Sequence, residues 1–130
     1  MPHIMMEHEQ DPRLTLQESI GDLAGVDLAP TELLVAIYTP PERTKSGIFL
    51  ADKTKDEYKY QGKVGLVVKT GANVFVDDRT VQFHDFKAAE GDWIVFRPAD
   101  GWPISINKTP CRIISDYLVK VKVSHPDVAY

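Results

Sequence analysis

Short apolar runs separated by longer polar stretches pattern this chain, and the first sustained apolar run begins at Leu33. Leu33-Leu34-Val35-Ala36-Ile37-Tyr38 has the β-branched and aromatic content of a strand, and Pro40-Pro41 ends it. Residues 63–69 carry the next strand pattern, with Gly62 and Gly65 permitting a bend or bulge. Val74-Phe75-Val76 and Val81-Gln82-Phe83 flank Asp77-Asp78-Arg79-Thr80, which predicts a β-hairpin with a polar tip. Trp93-Ile94-Val95-Phe96 reads as a half-buried strand, and Asp100-Gly101 as a turn. Residues 102–106 and 112–114 predict a second hairpin around Asn107-Lys108. Leu118-Val119-Lys120-Val121-Lys122-Val123 alternates and predicts a strand at a sheet edge. Short strands at this spacing predict an all-β fold, a small barrel.

The chain before Leu33 reads differently. Residues 1–13 are polar and predict irregular structure. Thr15-Leu16-Gln17-Glu18 has capping-box spacing, and Leu16, Ile20 and Leu23 share one side of a short helix that Gly21 keeps brief. Residues 25–30 read as a connector. Charge divides the chain in the same place. The formal net charge of the whole chain is -4. Residues 1–32 carry a balance of -6, with Arg13 their one base, so the rest stands at +2. The expected organisation is an acidic N-terminal extension over residues 1–30, a β-barrel domain over 31–123 and a tail over 124–130. The extension reads as a solvated head whose loss would spare the barrel.

Composition then narrows the function. A length of 130 residues suits one domain, and 43% hydrophobic content is ordinary for a globular chain. No apolar run approaches the ~20 residues of a membrane span, and no secretory signal pattern opens the chain. One cysteine, Cys111, excludes an internal disulfide. No basic stripe with interleaved aromatics appears, so nucleic acid is not an expected partner. His3, His8, His84 and His125 are scattered without metal-ligand spacing. Cys111 has no nearby histidine in sequence and reads as buried filler. Gly62-Lys63-Val64-Gly65 lacks the ending of a phosphate loop. Asp92 follows Gly91 as a turn-former. No catalytic residue, metal or cofactor is expected, and the chain does not read as an enzyme.

One motif stands out from this inventory. Thr44-Lys45-Ser46-Gly47-Ile48-Phe49-Leu50 sets a bare apolar triplet in a charged, proline-flanked stretch running to about residue 60. It suits either a short strand folded back on its own domain or an apolar anchor offered to a partner.

The order of four motifs resembles the GroES-like co-chaperonin family, the small lid partner of the large chaperonin. They are the 44–50 motif, Gly62-Lys63-Val64-Gly65-Leu66-Val67-Val68, Gly91-Asp92-Trp93-Ile94-Val95-Phe96, and Ser115-Asp116-Tyr117-Leu118-Val119. The resemblance spans residues 29–123. It implies an irregular β-barrel with a mobile loop over 41–60 and a roof hairpin over 72–87. It implies that Lys45, Ser46, Gly47, Ile48, Phe49 and Leu50 bind the apical domains of an ATP-driven chaperonin. It further implies a heptamer in which first and last strands of neighbours pair, using Leu33, Leu34, Val35 and Ile37 against Leu118, Val119, Val121 and Val123. The lid itself would bind no nucleotide and would act in the cytoplasm. Three features depart from the family: the acidic head, the 124–130 tail, and a roof rich in phenylalanine at Phe75, Phe83 and Phe86. Chains with such extensions also resemble those of tailed bacteriophages. There the alternative role is a virion protein that decorates or stabilises a capsid, with capsid protein as partner.

Overall fold

The computed structural model describes residues 11–38 and 63–129. Helix α1 (Pro12–Ile20) is followed by strands β1 (Glu32–Ile37), β2 (Val64–Thr70), β3 (Trp93–Val95), β4 (Trp102–Ile106), β5 (Thr109–Ser115) and β6 (Val121–Val123). Short 3-10 turns lie at Pro98–Asp100, Asp116–Leu118 and Pro126–Ala129. The strands form one antiparallel sheet in the order β4-β5-β1-β2-β3-β6.

β1 is the axis of the sheet. It pairs with β5 along one edge and β2 along the other. Its unbroken apolar run follows from burial on both faces, since alternate side chains enter separate clusters. Leu33, Val35 and Ile37 join Val67, Ile94, Phe96 and Ile114 in an inner core. Leu34 and Ala36 join Ile20 and Cys111 on the opposite, outer face. Tyr38, Val64, Leu66 and Trp93 continue that outer face.

A register shift at Leu34/Val35 leaves Val68 as the extra residue on β2. The predicted bulge therefore lies three residues beyond Gly65. Gly65 serves another purpose: a Cβ there would stand 2.2 Å from Val35 Cγ1 and 3.0 Å from the Ala36 carbonyl oxygen. The sheet closes to a distance that no side chain fits.

Residues 11–28 do not stand apart as a solvated head. α1 begins one turn earlier than the Thr15 spacing suggested, because Asp11 is the N-cap and accepts from Arg13 N at 2.9 Å. Pro12 at the first turn supports that start. Ile20 is buried, and Leu16, Leu23, Val26 and Leu28 pack over the outer face. Polar contacts pin the same stretch. Ser19 Oγ and Thr109 Oγ1 lie 2.9 Å apart. Lys69 Nζ donates to the Leu23 and Val26 carbonyl oxygens, and Asn107 Nδ2 to those of Ile20 and Asp22. Net charge argues for a solvated head, but five spaced apolar residues outweigh it by packing on the sheet.

Two further expectations change. No strand forms within the described residues 72–87, so the roof is not a β-hairpin. Phe75, His84 and Asp85 take positive φ values, which interrupt a ladder. Aspartates take the amides instead: Asp77 Oδ1 accepts from Phe83 N, and Asp78 Oδ1 from Thr80 N and Val81 N. The last strand is also shorter than its alternation suggested, because Asp116–Leu118 turns before it.

Candidate partner-binding surface

The predicted anchor, Lys45 to Leu50, lies outside the described residues, as does the rest of 39–62. The structure does describe where that segment leaves and rejoins the sheet. Tyr38 N donates to the Val64 carbonyl oxygen at 3.0 Å, and Phe96 N to that of Lys63 at 2.9 Å. Both ends are thus fixed side by side at one end of the β1–β2 pair. Beneath them the Tyr38 ring meets Trp93 edge-on, with centroids 5.7 Å apart.

The roof departs from the barrel on the inner side. Val74 and Phe75 pack against the inner core. Phe75 sits at the centre of an aromatic group, with Phe83 at 5.4 Å and Phe86 at 5.9 Å, both edge-on. The buried Asp116 carboxylate accepts from Phe75 N at 2.9 Å and ties the roof to the turn before β6. The phenylalanines that depart from a polar roof are therefore the roof's own small core. Hydrogen bonds from Val81 N and Thr80 N hold the exposed Asp78 carboxyl below its ordinary pKa.

The predicted subunit-interface residues separate into two groups. Leu33, Leu34, Val35 and Ile37 are buried in β1, whose two edges are already occupied. No open backbone edge remains there, so β1 does not serve as the pairing strand. Leu118 and Val119 also turn inward, packing on the inner core. Val121 and Val123 lie on β6, which ends the sheet and pairs with β3 alone among the described strands. At the other end β4 is equally open, and its Trp102 is 77% exposed. Sequence reasoning missed β4 as an edge because its hairpin with β5 drew attention to the turn.

Chemistry is sparse across this surface. Cys111 is buried, and desolvation pushes its thiol up to about 11, which suits packing and disfavours thiolate reactivity. Among the described residues no group of three His, Cys, Asp or Glu is placed to hold a metal ion, and no helix is long and apolar enough to cross a membrane.

Comparison with known families decides what this framework is. The family described as Chaperonin 10 Kd subunit matches residues 30–121, more than two thirds of the chain. The chain belongs to this family. A comparison with curated proteins gives no match. Co-chaperonins of the Chaperonin 10 family are not enzymes; they form oligomers and partner the chaperonin large subunit. The match begins just before β1 and ends at the first residue of β6, so α1 and the Pro126–Ala129 turn fall outside it.

Proposed function

We propose that this protein is a cytoplasmic co-chaperonin that caps an ATP-driven chaperonin ring through Ile48, Phe49 and Leu50. Lys45 and Ser46 shape the approach, and Gly47 permits a turn that a side chain would hinder. The observation that carries the reading is the family match over 30–121, which encloses the Thr44–Leu50 motif between matched strands. The subunits assemble as a ring, a heptamer by family resemblance, with β6 offering Val121 and Val123 at its open edge.

The energetics suit a lid that must come off. Ordering a loop costs roughly 1–2 kcal/mol per residue. Burying three large apolar side chains returns roughly 1.5–3 kcal/mol each. For about ten ordered residues the ordering cost, roughly 10–20 kcal/mol, exceeds the roughly 4.5–9 kcal/mol that the three side chains return, so one segment binds weakly at best. Several segments on one ring bind together, because each later contact is effectively intramolecular. A modest change in the receptor then releases all of them.

Phe49→Ala tests this reading. Nucleotide-dependent affinity for a purified chaperonin ring should fall at least ~100-fold, since the loss repeats at each subunit. The melting temperature should stay within a few degrees. A large loss of thermal stability with chaperonin affinity intact would place Phe49 in the protein's own core. The capsid-protein reading would then be the one to pursue, by binding to assembled capsids.

A further inference from the structure

The chain enters residues 39–62 through Tyr38, which is buried and held on three sides. Its backbone N donates to the Val64 carbonyl oxygen, its ring abuts Trp93, and its hydroxyl donates to Asp127 Oδ1 at 2.7 Å. Asp127 is only 1% exposed and belongs to the Pro126–Ala129 turn, beyond the last residue of the family match. Its own backbone N donates to His125 Nδ1 at 3.1 Å, and the same ring nitrogen stands 3.8 Å from Asp127 Oδ2. Ala129 packs with Val123 and Leu16 on the Tyr38 and Trp93 cluster.

A buried carboxylate is costly unless hydrogen-bonded, and an apolar side chain would cover Trp93 at less cost. What the carboxylate adds is direction. An apolar tail can slide over an apolar face, whereas Asp127 has to meet the Tyr38 hydroxyl. We propose that Asp127 is a positioning residue for chaperonin recognition. Through Tyr38 it fixes the point from which residues 39–62 depart, so that every subunit of a ring presents its anchor from the same place. This rests on the co-chaperonin reading above.

The loss expected from one subunit is small, because closure entropy rises only slowly as a few more residues are freed at the base of a segment. It grows over a ring, where a twofold loss per subunit compounds to about tenfold or more. The test measures nucleotide-dependent affinity of the full chain for a purified chaperonin ring, alongside thermal melting. Five proteins are compared: wild type, Asp127→Ala, Asp127→Asn, Phe49→Ala and Ile114→Val. The last is an inner-core control for general destabilisation. Asp127→Ala should bind about tenfold more weakly. Asp127→Asn keeps an acceptor oxygen for the Tyr38 hydroxyl and should recover most of that loss. Ile114→Val should bind like wild type even where its melting temperature drops as far. If Asp127→Ala does not fold, Tyr38→Phe takes its place with the same expectation. Wild-type affinity in Asp127→Ala, or in Tyr38→Phe where that takes its place, with Phe49→Ala weakened, overturns the positioning role alone. Equal weakening of Ile114→Val reduces Asp127 to a structural residue and also overturns it. Wild-type affinity in Phe49→Ala overturns the co-chaperonin reading and this inference with it.

Discussion

The two faces of β1 are built from different parts of the chain. Among the described residues, the inner face is closed by residues inside the family match, from Leu33 to Val119. The outer face is covered partly by matched residues such as Ile106 and Ile113, and partly by Leu16, Ile20, Leu23, Val26 and Leu28 before the match and Val123 and Ala129 after it. The inner core therefore lies within the matched region, and the outer layer joins matched residues to the flanking ones. The flanking residues reach the same cluster from opposite ends of the chain, since Leu16 and Ala129 both pack around Trp93. They change what the barrel's flank can do. A face of Leu34, Ala36, Leu66 and Trp93 would otherwise be an apolar patch in search of a partner, and here the chain covers it itself.

Removing residues 1–24 tests the outer face with the largest expected effect. It strips Leu16, Ile20 and Leu23, and burial of Ile20 alone corresponds to about 2–5 kcal/mol by truncation. Thermal unfolding should lose most of its stability or its cooperativity. A transition unchanged from the full chain would return the head to a dispensable tail.

Gly65→Ala probes the inner face with a smaller effect. A methyl group 2.2 Å from Val35 Cγ1 has to be accommodated by moving the β1–β2 pair, at about 1–3 kcal/mol. Urea denaturation should show a lower midpoint with an unchanged slope. An unaltered midpoint would mean that the two strands separate freely, against their shared ladder.

How far the sequence foretold these two faces follows from where each signal lies. The inner face was legible because it is made of contiguous strands: residues 33–38, 63–69 and 93–96 declare themselves by β-branched runs. The barrel class and the order of motifs follow from them. The outer face was legible only in part: Leu16, Ile20 and Leu23 read as one side of a short helix, but the nine-residue α1 ends at Ile20 and gives a weak period. Nothing local in the sequence says that they meet Ala36 and Cys111. The pairing of β1 on both edges was also hidden, since an apolar run shows burial without showing which strands supply it. The roof failed as a hairpin for a different reason: Asp77 and Asp78 gave a correct turn signal, but left-handed residues at Phe75 and His84 denied it a ladder. The anchor at 44–50 was the strongest motif in the sequence and stands on sequence alone.

The smallest effect belongs to the roof and depends on pH. The Asp78 carboxyl is held below its ordinary value by the Val81 and Thr80 amides, so its folded pKa is the lower one. Its contribution is full above the unfolded value, about pH 4, and fades as the pH falls through the folded value. Amide hydrogen exchange at Thr80 and Val81, corrected for intrinsic rates, should be slow at pH 5–6 and accelerate below about pH 4. The inner-core amides should not follow. Exchange independent of pH in this window would show that the carboxylate does not hold the turn.

The central claim, that the shared barrel serves as a chaperonin lid, is tested most directly by sedimentation velocity of the full chain mixed with a purified chaperonin ring, with and without ATP. The chain should run as a closed oligomer on its own and co-sediment with the ring only when nucleotide is present. A folded chain that stays apart from the ring in both conditions would contradict it.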